Sequence, residues 1–349
     1  MSTASPALLR DVSLRAYNTF GIDAKARLFA TFTSVEELRA LLRQPEVQAA
    51  PKLVLGGGSN LLFTQDFDGV VLKNEIRGLD LLPDGPADDT VLVRAGAGES
   101  WHGLVEYALS QNLAGLENLS LIPGTVGAAP LQNIGAYGVE LQDAFEFLEA
   151  VEISTGELRR FSREECGFGY RESVFKGPLR NQYIVTGVVM RLHRQRQPAN
   201  TSYGAIRSTL EEMGVTEEPT PQQVSQAVIS IRRSKLPDPA QVGNAGSFFK
   251  NPEVSQAKFD ALKAQYPELP GYPVPGGVKV PAGWLIEQCG WKGHRAGEGG
   301  RYGVHDRQAL VLVNHGGATG AEVRALAEEI IASVREKFGI ELHPEVNIL

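Results

Sequence analysis

"IPGTVGAAPLQNIGAYG" (residues 122–138) sets four glycines, Gly124, Gly127, Gly135 and Gly138, among three alanines, Ala128, Ala129 and Ala136. Side chains this small leave the backbone open to something large and flat. Gln132 and Asn133 add amide donors and acceptors, and Pro123 fixes the entry to the loop. A ligand-free Ω-loop can have the same composition. "LGGGSN" (55–60) weighs against that reading. It follows the apolar run "KLVLG" (52–56), so Gly56, Gly57 and Gly58 come at the end of a strand. Backbone N–H groups there can meet an anion with no Cβ in the way. Ser59 and Asn60 supply side-chain donors. The stretch is no dinucleotide fingerprint, because Leu61 stands where a third glycine would be, and no GK[ST] follows to make a phosphate loop. Two such stretches in one half of a chain point to one extended ligand shared between them.

Outward from these stretches, strands are predicted at 28–32, 69–74, 91–98 and 182–192, with a hairpin in "LEAVEISTGELRRF" turning at "STGE". Ser34 and Glu37 have the spacing of a capping box, and Ser100 caps the helix "WHGLVEYALSQN". "HRQRQPANTS" (193–202) is abruptly polar, contains Pro198, and is expected to be a domain boundary. Helices dominate after it: "TPQQVSQAVISIRRS", "SQAKFDALKAQY", "PAGWLIEQCG" and a long one at 319–338 opened by Thr319 and Glu322. "IELHPEVNIL" (340–349) is expected to close the chain as a strand.

The composition is that of an ordinary folded protein, 42% hydrophobic and 21% charged, with length enough for two or three domains. A net charge of −7 repels phosphate backbones, so nucleic acid is not an expected partner. The N-terminus has no apolar leader core, and no apolar run approaches the ~18 residues of a membrane span. A cytoplasmic location is expected, where the sequons at Asn118 and Asn200 carry no sugar. The two cysteines, Cys166 and Cys289, are far apart, and no CxxC, Cys/His cluster or HExxH suggests a metal.

Several single residues carry chemistry that composition cannot decide. Arg171 in "FGYRESVFK" lies between aromatics, suited to a carboxylate or phosphate, or to a plain structural ion pair. Tyr203 follows the polar boundary. Arg232, Arg233 and Lys235 form a compact basic group at a helix end, where dipole pairing is the usual role. Glu345 lies in "HPEVNIL". "GNAGSFFKNP" (243–252) runs a turn straight into Phe248 and Phe249, which must enter the interior and draw Ser247 with them. A turn serine bonded to its own backbone is the commoner case. A hydrolase nucleophile fits poorly, since there is no G-x-S-x-G and nothing marks His305 as its base.

Taken together, "NTFGI", "LGGGSN", "IPGTVGAAPLQNIGAYG", "FGYRESVFK", "NAGSFFKNP", "PAGWLIEQCGWKG" and "HPEVN" resemble, in order and spacing, the UDP-N-acetylenolpyruvoylglucosamine reductase family over nearly the whole chain. The segment around Tyr203 is similar to the tyrosine-bearing loop of its type I members. The resemblance implies an α+β chain: an FAD-binding fold of the vanillyl-alcohol-oxidase (PCMH) type over 1–195, in subdomains of about 1–74 and 75–195. A C-terminal α+β substrate domain follows at 205–349, with the last strand (340–349) returning to the active site. It implies a monomer, and a peptidoglycan-precursor reaction in which hydride passes from NADPH to non-covalent FAD and then to the enolpyruvyl ether of a UDP-sugar.

Carried over residue by residue, Gly56, Gly57, Gly58, Ser59 and Asn60 hold the FAD pyrophosphate, and Pro123, Gly124, Gly127, Gln132, Asn133 and Gly135 line the cofactor. Arg171 and Glu345 stabilise the enolic intermediate. Tyr203, Lys235 and Asn251 bind the diphosphate end of the substrate, with Gln288 nearby. Ser247 is the implied proton donor. Hydride addition beside a carboxylate makes a carbanion, which needs a proton from a group held in a water-poor place. The chain departs from the family where some members have serines at Ala128 and Ala129, and where Asn347 replaces a common basic residue. Two other classes stay open. An alcohol oxidase of the same fold would more naturally carry a His or Cys for flavin attachment in the glycine-rich stretches, and none is there. A non-catalytic nucleotide-binding module would have no use for Ser247, Arg171 and Glu345.

Overall fold

Strand Lys25–Phe32 shows how the first sheet forms. Ala26, Leu28, Ala30 and Phe32 are buried at every second position, the period of a pleated strand. The computed structural model describes residues 6–82, 89–194 and 200–349. Within it, Lys25–Phe32 lies in a four-stranded sheet ordered Leu9–Ser13, Lys25–Phe32, Phe67–Asn74, Lys52–Leu55, whose last two strands run parallel. Helix Val35–Leu42 covers this sheet through Leu38 and Leu41, which join Leu28, Phe32, Val70 and Leu72 in one core. Only half of the expected capping box forms. Ser34 accepts the Glu37 N–H, but the Glu37 carboxylate reaches one residue further back, to the N–H and hydroxyl of Thr33 at 2.6 and 2.8 Å.

A five-stranded antiparallel sheet follows, ordered Leu158–Ser162, Phe145–Glu152, Tyr183–His193, Thr90–Gly96, Leu79–Leu82. Its first hairpin turns at the expected "STGE", with Gly156 at φ +75°. Helix Trp101–Ser110 buries Trp101, Leu104, Val105 and Ala108, the spacing of one helical face, and Ser100 caps it by accepting the Gly103 N–H.

By packing, the chain makes two units. One holds residues up to Val12, Ala26–Gly57 and Asp68–Ser234; the other holds Ser13–Lys25, Gly58–Phe67 and Lys235–Leu349. The expected boundary at 193–202 is not where they part. Residues 195–199, Pro198 among them, lie outside the described residues, as do the first five of the N-terminal stretch. Helices Gly204–Glu212 and Pro221–Lys235 bury Ile206, Leu210, Val224 and Val228 in a cluster joined by Tyr137, and so stay with the first unit. A polar stretch marks a solvated segment, which is not always a division between cores.

In the second unit, helix Gly320–Phe338 is opened by a complete capping box, Thr319 with Glu322, and closed by Gly339 at φ +61°. It buries Val323, Leu326, Ala327, Ile330, Val334 and Phe338. Two three-stranded sheets accompany it. The expected closing strand is much shorter than 340–349. Only Asn347–Ile348 pairs, in parallel with Leu61–Leu62. Pro344 has no N–H to give a ladder, and residues 343–345 instead take single bonds to the Phe248–Lys250 segment.

Cys166 is fully buried, and that burial pushes its thiol up to about 12, with Glu165 and Glu164 adding to the shift. A thiol needs its thiolate to react. At pH 8, a disulfide-exchange reagent is therefore expected to leave Cys166 untouched in the folded protein and to reach it only in denaturant. Peptide mapping that finds Cys166 modified under native conditions would contradict this burial.

Candidate functional site

In the first unit the two glycine-rich stretches lie against each other. A Cβ on Gly57 would sit 2.8 Å from the Gly124 Cα, and one on Gly56 would sit 2.2 Å from the Thr125 Oγ1. A Cβ on Gly127 would meet that of Ala97 at 2.5 Å. Such distances tolerate no side chain, so the two stretches pack backbone to backbone only as glycine. The Gly124 and Val126 segment is fixed from behind: Trp101 N–H bonds to Gly124 O at 3.0 Å, and Val126 N–H to Glu99 O at 2.9 Å.

Asn133 has a different part from the one expected of it. It is fully buried at φ +43°, donates to Glu140 Oε2 (2.8 Å) and Gly169 O (3.1 Å), and accepts the Gln142 N–H (3.0 Å). Its amide is a strut of the loop, and only its main chain can face a ligand. Gln132 and Pro123 lie on the same loop, half-buried and exposed respectively.

Arg171 is held beside this loop. Its Nη2 donates to Gly135 O at 2.8 Å, its guanidinium lies 5.3 Å from the Tyr170 ring, and its backbone is at φ +56°. A non-glycine residue in that region costs on the order of 1–3 kcal/mol and is concentrated at functional positions. Tyr203, half exposed, meets Tyr137 edge to face with centroids 5.4 Å apart. Arg232 donates to Leu121 O at 3.2 Å and bonds the Tyr137 phenol. Burial holds its guanidinium below the ordinary arginine value, with Tyr137 opposing; burial likewise raises the Tyr137 phenol. In the sequence Tyr137 carries no motif of its own, and Arg232 reads as a helix-end charge. The signal for Tyr137 was a large ring among glycines. The two sequon asparagines are struts here: Asn118 donates to the Tyr137 and Asn200 carbonyls at 3.2 and 2.8 Å, and Asn200 donates to Gly138 O at 3.1 Å.

The second unit gathers the remaining candidates. Gly58, at φ +63°, lies so near Tyr17 that a Cβ would be 2.0 Å from its carbonyl oxygen. Ser59 and Asn60 follow it. Phe248 and Phe249 are buried as expected, but Ser247 itself stays half-buried. Its backbone bridges Val311, and Phe248 N–H bonds to Leu310 O at 2.7 Å. Among the described residues the Ser247 hydroxyl makes no hydrogen bond, so it is not the self-bonded turn serine. The His305 ring is turned to Asp306 and to the Arg307 N–H, which disposes of a Ser–His pair.

Glu345 is adjacent to Ser247. Its N–H bonds to Phe248 O at 2.8 Å, and its carbonyl accepts from Asn60 Nδ2 at 3.4 Å. Asn251 Oδ1 accepts the Ala282 N–H at 2.9 Å, at the start of helix Ala282–Gln288. Gln288 is exposed at the far end of that helix, with its carbonyl bonded by Lys337. A seven-residue helix is about 10 Å long, so Asn251 and Gln288 do not converge. Lys235 is exposed at the end of helix Pro221–Lys235.

Backbone bared by glycine in a two-sheet α+β unit is the mark of a flavin-dinucleotide fold. Residues 26–162 match the family described as "FAD binding domain". The whole chain resembles 6-hydroxy-D-nicotine oxidase from Arthrobacter nicotinovorans in fold, at a TM-score of 0.53 and 16% identity over 99% of this chain and 89% of that one. Residues 238–349 match the C-terminal domain of UDP-N-acetylenolpyruvoylglucosamine reductase. The reductases of that name from Burkholderia ambifaria and Burkholderia orbicola are 52% and 53% identical over 97% of this chain and 96% of theirs. The solved reductase from Thermus caldophilus covers 98% of this chain, and is itself 99% covered, with a TM-score of 0.66 and 26% identity. The chain belongs to the UDP-N-acetylenolpyruvoylglucosamine reductase family.

The Gly57–Gly124 approach yields a direct test. Gly57→Ala is expected to force the loops apart and to lose most of the bound flavin. The ratio of flavin to protein absorbance after gel filtration reads this. Full flavin content with an unchanged melting temperature would mean that the approach has no part in holding the cofactor.

Proposed function

We propose that this chain reduces the enolpyruvyl ether of UDP-N-acetylglucosamine enolpyruvate to UDP-N-acetylmuramate, the peptidoglycan precursor, with NADPH as the reductant and Ser247 as the proton donor. The observation that carries the Ser247 role is its setting: a hydroxyl without a protein partner among the described residues, on a backbone pinned by Val311 and the buried Phe248, beside Glu345. The glycine-rich backbone at Gly56–Gly57 and Gly124–Gly127 suits close approach of the FAD pyrophosphate and ring system, and a Cβ at Gly56, Gly57 or Gly127 would collide with the packing that holds these stretches. FAD, when bound, supplies two-electron hydride chemistry. No His or Cys lies in either stretch, so the cofactor is held non-covalently.

The residues then divide the work. Hydride addition to the terminal enolpyruvyl carbon leaves an electron pair on the neighbouring carbon, shared with its carboxylate. Ser247 Oγ–H gives that carbon its proton, the hydroxyl being restored from solvent. Serine is a weak acid, so charge must favour the step. Arg171 answers the growing negative charge of the enolic carboxylate, a preorganised cation of the kind that lowers such barriers most. Glu345 stabilises the intermediate. Lys235, Tyr203 and Asn251 bind the diphosphate end, and Gln288 is left out of that set because it lies a helix length away. The protein works as a cytoplasmic monomer in this reading; among the described residues no helix is long and apolar enough to cross a membrane.

If Ser247 acts only on the carbanion, it has no part in loading the flavin. Ser247→Ala is expected to fold, bind FAD and be bleached by NADPH at a near-normal rate. Its reoxidation by the enolpyruvyl substrate should slow by the ~10²–10⁴ of a lost general acid. Ser247→Cys, which still has a proton to give, should retain part of the rate. Stopped-flow absorbance separates the two half-reactions, and equal slowing of both in Ser247→Ala would make Ser247 a structural residue.

Lys235 is tested by affinity. A hydrogen bond to a charged group is worth about 1.5–3 kcal/mol. Lys235→Ala should therefore raise KM for the sugar nucleotide roughly ten- to a hundred-fold. An unchanged KM would return Lys235 to the role of a helix-end charge.

A further inference from the structure

Asn347 and Asn60 form a reciprocal junction on the backbone of Glu345. The Asn60 carbonyl accepts two bonds from Asn347, one from its N–H and one from its Nδ2, each at 3.1 Å. The Asn60 side chain turns the other way and donates to the Glu345 carbonyl at 3.4 Å. On its other side the Glu345 N–H is tied to Phe248 O, next to Ser247. Glu345 therefore hangs between the last residue of the glycine-rich turn and the turn that bears Ser247. Pro344, immediately before it, has no N–H with which a sheet ladder could do the same job. Two residues further along, a separate tie closes the strand pair: Thr64 donates from its N–H (2.7 Å) and its hydroxyl (2.6 Å) to Leu349 O.

We infer that Asn347 is a positioning residue for Glu345, acting through Asn60. A two-residue strand is too short to fix a side chain, and the Asn347 amide doubles the anchor at Asn60, which itself bonds the Glu345 main chain. The inference rests on the proposed role of Glu345 in the protonation half-reaction. It also gives Asn60 a task distinct from holding the pyrophosphate: its side chain joins the turn to the main chain of Glu345. The Asn347 side chain is exposed, so truncating it opens no cavity.

The experiment compares Asn347→Ala, the near-isosteric Asn347→Asp, Glu345→Gln, the Asn347→Ala/Glu345→Gln pair, and Thr64→Val, in the FAD-loaded enzyme by stopped flow. Asn347→Ala is expected to keep its flavin and its rate of bleaching by NADPH, and to be reoxidised by the enolpyruvyl substrate about tenfold more slowly, the scale on which small misplacements act. KM should change by less than about twofold, since no substrate contact is lost. Asn347→Asp replaces the donor with a carboxylate facing a carbonyl, and should be at least as slow. Thr64→Val loosens the same strand pair away from Glu345 and should leave reoxidation near normal. In the Glu345→Gln background, Asn347→Ala should add nothing, because residues that act through one another are not additive. Additive effects, a normal rate in Asn347→Ala, or equal slowing by Thr64→Val would each overturn the inference. If Glu345→Gln alone reoxidised normally, the role of Glu345 itself would fail, and the inference with it.

Discussion

Gly57 and Gly124 approach more closely than any pair of side-chain-bearing residues allows. The placement of the two glycine-rich stretches depends on that approach. It brings together segments that are distant in sequence, and a side chain on Gly57 would force them apart. The cost of so much glycine is conformational freedom in the unfolded chain. That cost is offset by what stands behind the loops: Trp101 and Val126 are fully buried, and their N–H groups hold the Gly124 segment in place. Asn133 completes the frame. A buried amide that satisfied none of its bonds would cost a few kcal/mol, and this one is bonded to three residues of its surroundings.

The second unit solves a different problem, that of holding a small polar group still at a half-buried place. Phe248 and Phe249 act as anchors, each worth about 1.5–3 kcal/mol of burial. The Phe248 N–H donates to Leu310 O on one side, and its carbonyl accepts the Glu345 N–H on the other. The serine gains rigidity from its neighbours without spending its hydroxyl on them. Glu345 is likewise tied through its main chain, to Phe248 O and to the Asn60 side chain.

Charge follows the same logic in the first unit. Arg171 accepts an uncommon backbone conformation and donates to Gly135 O on the loop, while half-buried Arg232 is held by a phenol and a carbonyl. Among the described residues Arg232 has no carboxylate partner. A partly desolvated cation held by neutral groups keeps its charge available to an anionic ligand, at the expense of desolvation.

The sequence by itself determined the elements whose causes are local. Ser100, Thr319 and Gly156 act on bonds within a few residues, so the helices they cap and the hairpin Gly156 turns were legible. So were the bare backbone at Gly56–Gly58 and the burial of Phe248 and Phe249. Tertiary structure decided what depends on partners far along the chain. Pro344 shortened the last strand to two residues. The division between units moved from the polar stretch to Ser234, because the helices beyond that stretch buried their apolar faces with Tyr137. Asn133 reads as a ligand amide, and its side chain satisfies backbone and side-chain groups whose positions no local pattern reveals. A side-chain amide looks the same in sequence whether it faces a ligand or a carbonyl; only the folded chain assigns its partner.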